Sequence, residues 1–107
     1  MTQFDTHRKG AEAHYAMGQE ARFRIEARTA KLAAQWLADK MGLTGDAVAA
    51  YLQSVIAANM AESGLDDLQE KLVADSAAHG LDISEDAIAA EIARCLRQAT
   101  DELKPTA

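Results

Sequence analysis

The stretch EARFRIEARTAKLAAQWLADKMGLTG, Glu20–Gly45, decides the fold of this chain. Its larger apolar side chains recur at roughly whole helical turns, which is the pattern of an amphipathic helix. Gly42 then provides a residue suited to ending a helix, and Lys40 lies in the last turn, where a cation is favourable. Because of its size, Trp36 is the expected central core residue. The stretch predicts a helix from about Glu20 whose apolar residues are Ile25, Leu32, Trp36, Leu37 and Met41.

Three further helical segments follow after short connections. The second begins near Thr44, a candidate N-cap, and carries an apolar stripe as far as Met60. The third is closed by Gly80, and the fourth begins at another candidate cap, Ser84. Since short connections favour antiparallel neighbours, the sequence predicts an all-α protein built as a four-helix bundle.

Residues 1–19 differ from the rest of the chain because they lack a continuous apolar face. Gly10 and Gly18 each lower helix stability by about 1 kcal/mol relative to alanine. A segment that buries little surface does not offset the entropy lost on ordering. We therefore expect a flexible or partly helical N-terminal arm. We call residues 1–19 the arm and residues 20–107 the bundle.

The overall charge limits the classes of partner. The 107-residue chain has a formal net charge of −6, which argues against nucleic acid as the main partner. Residues 1–42 hold seven basic and five acidic residues, whereas residues 43–107 hold four basic and twelve acidic ones. The sequence shows no signal segment and no apolar run of membrane-spanning length, so we expect a cytoplasmic protein without direct membrane insertion.

No motif in the sequence indicates catalysis. A glycine-rich phosphate loop, a nucleophile elbow and a His-Glu-x-x-His helix are all absent from it. His7 and His14 are seven residues apart, which is too far to share a metal without a third ligand. The single cysteine, Cys95, is expected to be a small apolar residue on a helix face. We therefore expect a protein that is not an enzyme and has no metal site.

The densest charged feature is RFRIEARTAK at residues 22–31, with four basic residues and one acid. Arg24, Arg28 and Lys31 are spaced by four and three residues, so they fall on one helix face. One interpretation is a solvated helix face, supported by the i,i+4 spacing of Glu20 and Arg24. The other is a docking ridge for an acidic protein surface or a phosphate-bearing ligand. Phe23 is offset from these cations on the helix. We use the name basic ridge for the five residues Arg22, Phe23, Arg24, Arg28 and Lys31.

Three motifs, Phe4-Asp5, the stretch Glu20–Gly45 and GLDIS at residues 80–84, follow the pattern of one known family. With them the chain resembles, over nearly its full length, the zeta inhibitor subunit of the alphaproteobacterial F-type ATP synthase. Within the quoted stretch the positions that match are Arg22, Phe23, Glu26, Ala27, Arg28, Lys31, Leu32, Trp36, Lys40, Gly42, Leu43, Thr44 and Gly45.

The resemblance implies an inhibitor that binds the catalytic head of ATP synthase, in contact with its α, β and rotor γ subunits. The arm would become helical as it enters a catalytic α/β interface, and would oppose rotation in the hydrolytic direction while synthesis proceeds. The bundle would stay outside as an anchor, which places the protein at the periphery of the inner membrane through the ATP synthase. The arm residues that would contact the partner are Phe4, Asp5, Arg8, Lys9, Glu12 and Tyr15.

The arm departs from the family pattern in the part that would block the enzyme. Ala11 stands where the family has an aromatic residue, Gly10 where it has a helix former, and Gly18 where an acidic residue is usual. Loss of the aromatic anchor would remove about 2 kcal/mol of burial on binding. We therefore expect weakened inhibition.

Two other functions fit the same residues. A small helical regulatory protein would bind ADP, ATP or another anion weakly at the basic ridge, without a tightly held cofactor. A generic helical adaptor would dock on some other acidic protein. Titration with ADP and ATP would distinguish the nucleotide-binding regulatory protein from an inhibitor. Co-purification with ATP synthase would argue against the generic adaptor.

Overall fold

The computed structural model describes the backbone of residues 2–62 and 64–103, with side chains from residue 19 onward. In this part of the chain the structure has four helices and confirms the all-α four-helix fold. Helix α1 packs mainly against α4 and α2, and α3 completes the bundle against the same two helices. The helices are α1 (Thr2–Lys40), α2 (Asp46–Ala61), α3 (Leu65–Ala78) and α4 (Glu85–Leu103).

Helix α1 is 39 residues long and begins at Thr2, not near Glu20 as the apolar pattern predicted. Half of residues 2–19 are Ala, Gln, Glu, Lys, Arg or Met, which favour helix, although Gly10 and Gly18 lie among them. The helix therefore passes without interruption from the arm into the bundle. The mobility of the arm in solution, and its independence from the bundle, stay predictions.

Small side chains line the buried face of α1. Four fully buried alanines, Ala30, Ala33, Ala34 and Ala38, surround Leu37, which is itself fully buried. Trp36 is only partly buried and packs at the edge of the core, so its predicted central position is wrong. Trp36 is turned by about 100° around the helix from Leu37, so the two side chains do not both face the centre of the core. The other helices complete the core with Val55, Leu68, Leu72, Ile88, Ile92 and Cys95.

The end of α1 follows the predicted signal at Gly42, whose φ is 75°. The amide of Gly42 donates to the carbonyl of Asp39 at 3.1 Å, and the amide of Leu43 donates to that of Ala38 at 3.0 Å. This is the Schellman arrangement, in which a residue of positive φ satisfies the last carbonyls of a helix. A glycine fits because it has no side chain to strain there.

The two predicted N-caps have different outcomes. Ser84 Oγ accepts a hydrogen bond of 3.0 Å from the amide of Ala87, which confirms the cap of α4. Thr44 was expected to cap α2, but the N-cap is Gly45, and no side chain caps this helix. Gly45 has a φ of 60°, a backbone conformation that glycine adopts readily, and it occupies the N-cap position that was expected for Thr44.

Candidate functional site

One ion pair joins α1 and α4 across the surface of the bundle. Arg28 donates from Nε to Oε1 of Glu102 at 2.7 Å and from Nη2 to Oε2 at 3.3 Å. Gln98 donates a further hydrogen bond of 3.1 Å to Glu102. The bonds from Arg28, then that from Gln98, lower the pKa of the Glu102 carboxyl below its ordinary range. The two helices are antiparallel, and the described part of α4 ends at Leu103, one residue after Glu102. The turns of α1 that precede Arg28 therefore extend beyond the described part of α4.

The cations of the basic ridge lie in different environments. Arg28 is paired with Glu102, as described above, and both side chains are partly shielded, at 38% and 40% exposed. Arg24 pairs with Glu20 at 3.2 Å, which confirms the predicted i,i+4 contact. Lys31 is exposed and makes no ion pair with a described residue, and Arg22 is also exposed. At least two ridge cations are therefore already engaged within the chain, and docking by the ridge stays a prediction.

Phe23 is the apolar member of the ridge and is 59% exposed. It precedes Ala27, Ala30 and Ala34 at steps of four, three and four residues, so the four residues share one helix face. Ala30 and Ala34 are fully buried in the bundle. Phe23 thus extends the buried face of α1 into a part of the helix that is exposed.

A polar cluster between α2 and α3 was missed by the sequence analysis. The Tyr51 hydroxyl donates to Oδ2 of Asp75 at 2.8 Å, and Lys71 Nζ lies 2.9 Å from the same oxygen. Lys71 Nζ also lies 5.9 Å from the centre of the Tyr51 ring. Burial, with the Asp75 hydrogen bond, raises the pKa of the Tyr51 hydroxyl. The i,i+4 spacing on α3 signals the Lys71–Asp75 pair, but no local pattern links either residue to Tyr51.

Cys95 lies in the core, as predicted, and is fully buried. Burial is the main cause that raises the pKa of its thiol to about 11. The sulfur lies 3.6 Å from Oε2 of Glu91, which also accepts a 2.6 Å hydrogen bond from Arg94. Arg94 lowers the pKa of Glu91 and keeps this carboxylate charged beside the sulfur. The surroundings therefore disfavour the thiolate and reactive cysteine chemistry.

A broad surface groove lies on the acidic side of the bundle, where α3 meets the start of α4. Its lining residues include none from the basic ridge, so this groove does not form the nucleotide site predicted there. Weak binding of ADP or ATP to the ridge stays a prediction. The residues lining the groove are Asp66, Asp67, Gln69, Glu70, Val73, Ala74 and Glu85.

Among the described residues, no group of three or more His, Cys, Asp or Glu side chains is arranged to hold a metal ion. None of the helices in the same part of the chain is long and apolar enough to cross a membrane. The predicted arm contacts lie outside the side chains that the structure describes, and these are Phe4, Asp5, Arg8, Lys9, Glu12 and Tyr15.

Comparison with known proteins gives one match. A family model described as ATPase inhibitor subunit zeta matches residues 1–102. The match includes the whole arm and all but the last few residues of the bundle. Neither the curated proteins nor the solved structures give a match.

Proposed function

This chain belongs to the ATPase inhibitor subunit zeta family, and from that membership we propose that it inhibits ATP hydrolysis by the catalytic head of an ATP synthase. The observation that carries the proposal is the extent of the family match, residues 1–102, which includes the part that would block the enzyme and the part that would anchor it. The role is regulatory, and the partner surfaces are those of the α, β and rotor γ subunits.

The arm is the blocking element in this proposal. It inserts at a catalytic α/β interface as a helix and opposes rotation in the hydrolytic direction, while synthesis proceeds. The helical backbone of α1 from Thr2 onward supports this, because the arm has a helical conformation compatible with the bound form. An arm that is already partly helical loses less entropy on binding than one that must order completely.

The bundle is the anchor and stays outside the interface. Its α1 segment is held by the alanine-lined core and, where α1 passes the end of α4, by the Arg28–Glu102 pair. Because α1 is continuous from Thr2 to Lys40, its position in the bundle sets the direction in which the preceding segment leaves. The bundle would thus orient the arm toward the catalytic interface.

The strength of inhibition depends on the arm sequence. Gly10 and Gly18 interrupt a series of good helix formers, and Ala11 offers little surface to a partner. We therefore propose that this chain is a weak inhibitor whose docking function is better preserved than its blocking function.

The test is ATP hydrolysis by the purified catalytic head of the cognate enzyme, measured with the full chain and with residues 20–107 alone. We expect the full chain to inhibit and the shortened chain to lose inhibition. Circular dichroism of the shortened chain is the control for folding. Equal inhibition by both would contradict the blocking role of the arm, and no inhibition by the full chain would contradict the proposed function.

A further inference from the structure

We propose that Phe23 is the docking anchor of this protein, and that it fills an apolar pocket with an acidic rim on the catalytic head. The inference rests on the proposed function for the identity of the partner. It also gives two residues of the basic ridge different roles. Phe23 makes the apolar contact with the partner, whereas Arg28 pairs with Glu102 within the protein.

The first argument is that Phe23 continues an existing packing face. Ala30 and Ala34, on the same face of α1, are fully buried, and Ala27 between them and Phe23 is partly buried. Phe23 lies one turn before Ala27 and is 59% exposed. Isolated exposed apolar residues are common on protein surfaces, but here the exposed ring extends a helix face that already packs against other helices.

The second argument is that the described part of α4 ends before it reaches Phe23. Arg28 contacts Glu102, and the described part of α4 extends one residue further, to Leu103. Phe23 is five residues before Arg28, which places it about 7.5 Å farther along the axis of α1. The described part of the antiparallel helix that packs on the alanine face thus stops short of the ring, which is 59% exposed.

The third argument concerns the chemistry of the occupant. Phe23 lies between two exposed arginines, and the Arg24 side chain is 67% exposed. Both arginine side chains are exposed beside the ring, and Arg24 also pairs with Glu20 at 3.2 Å. A partner pocket with carboxylates at its rim would complement them. Aromatic side chains and arginine are also the residues enriched at the centres of protein interfaces.

The experiment measures the affinity of the cognate catalytic head for the full-length chain by biolayer interferometry. The variants are Phe23→Ala, Phe23→Leu and a control, Gln53→Ala, at an exposed position of α2. We expect Phe23→Ala to weaken binding by at least about tenfold. Phe23→Leu should retain most of the affinity because leucine keeps an apolar side chain, and Gln53→Ala should bind like the original chain.

The outcomes separate the inference from the proposed function. Normal binding of the original chain together with unchanged affinity of Phe23→Ala would overturn the inference alone. No binding of the original chain would overturn both. Two measurements on the free chains test whether something other than the catalytic head covers Phe23. In thermal unfolding, a clear loss of Tm in Phe23→Ala would show that the ring packs within the chain itself. In sedimentation, a dimer that Phe23→Ala abolishes would show that the ring packs against a second copy. Either result would overturn the inference.

Discussion

Arg28 and Glu102 are 74 residues apart in the sequence, yet two hydrogen bonds of 2.7 and 3.3 Å join their side chains. The contact lies where α1 passes the described end of α4. It therefore ties the last turn of the bundle to the part of α1 that leads toward the arm. The pairing also means that Arg28, predicted as part of a docking surface, already contributes to the fold.

Replacing Glu102 by glutamine should lower the free energy of unfolding near neutral pH by a small amount, since solvent screens a pair that is about 40% exposed. Arg28 lowers the pKa of Glu102 from its ordinary value of 4.5. A depressed pKa gives stability above the ordinary value, and this stability is lost as the pH falls through the folded value. The difference between the two proteins should therefore narrow in acid.

The measurement is urea unfolding of both proteins at about pH 7 and at about pH 3, on either side of the ordinary carboxyl range. Glu62→Gln is the control, because Glu62 is exposed and makes no ion pair with a described residue. The same difference in unfolding free energy at both pH values would show that the Arg28–Glu102 pair does not stabilise the fold.

Replacing Ala34 by leucine should destabilise the bundle by about 1–3 kcal/mol, the usual range for inserting a larger side chain into a packed core. Ala34 is fully buried on the face where α1 meets the other helices. The matched control is Ala50→Leu at an exposed position of α2, where an effect within about 0.5 kcal/mol is expected. Urea unfolding measures both, and a neutral Ala34→Leu would disprove the close alanine packing.

Cys95 should react slowly with a thiol reagent in the folded protein. The side chain is fully buried, and burial raises the pKa of its thiol to about 11, so little thiolate is present near neutral pH. We expect the rate to rise at least about tenfold in denaturing urea, where the thiol regains an ordinary pKa. Absorbance of the released chromophore follows the reaction. An equal rate in both states would argue against the buried position.

The double substitution Gly10→Ala with Ala11→Phe should strengthen inhibition of ATP hydrolysis. The alanine adds about 1 kcal/mol of helix stability. The phenylalanine offers about 2 kcal/mol of burial to the partner. Together these favour a gain of about tenfold or more in apparent affinity. Ala50→Phe, on an exposed face of the bundle, controls for added apolar surface, and unchanged or weaker inhibition by the double variant would count against the proposed weakness of the arm.

The sequence predicted those parts of the fold that depend on local signals. Gly42 and Ser84 mark helix ends by their own conformation or hydrogen bonding, so both were identified. The helical backbone of α1 before Glu20 agrees with a partly helical arm, but the apolar pattern placed the start of the first bundle helix near Glu20 because the arm forms no apolar stripe. Trp36 was predicted as the central core residue, but Leu37 is the fully buried one. The alanines around Leu37 have small side chains, so the hydrophobic pattern does not show which larger side chain lies at the centre.

The candidate site was less predictable than the fold because its main contacts are long-range. The spacing of the basic ridge identified its cations, but no pattern along the chain indicates that Arg28 meets a carboxylate on another helix. Exposure of Phe23 likewise depends on how α1 packs against the other helices, which no local pattern gives. The arm residues were named through the family resemblance, and their contacts with a partner stay predictions.

The continuity of α1 from Thr2 to Lys40 gives the arm and the bundle a common angular register. Each residue of a helix adds about 1.5 Å of length and about 100° of rotation. Deleting one residue near position 19 would therefore turn every arm side chain by more than a quarter of a circle relative to the bundle. Deleting a multiple of seven would shorten the reach but nearly restore the facing. In this family member the number of residues between the bundle and the arm thus sets a direction as well as a distance.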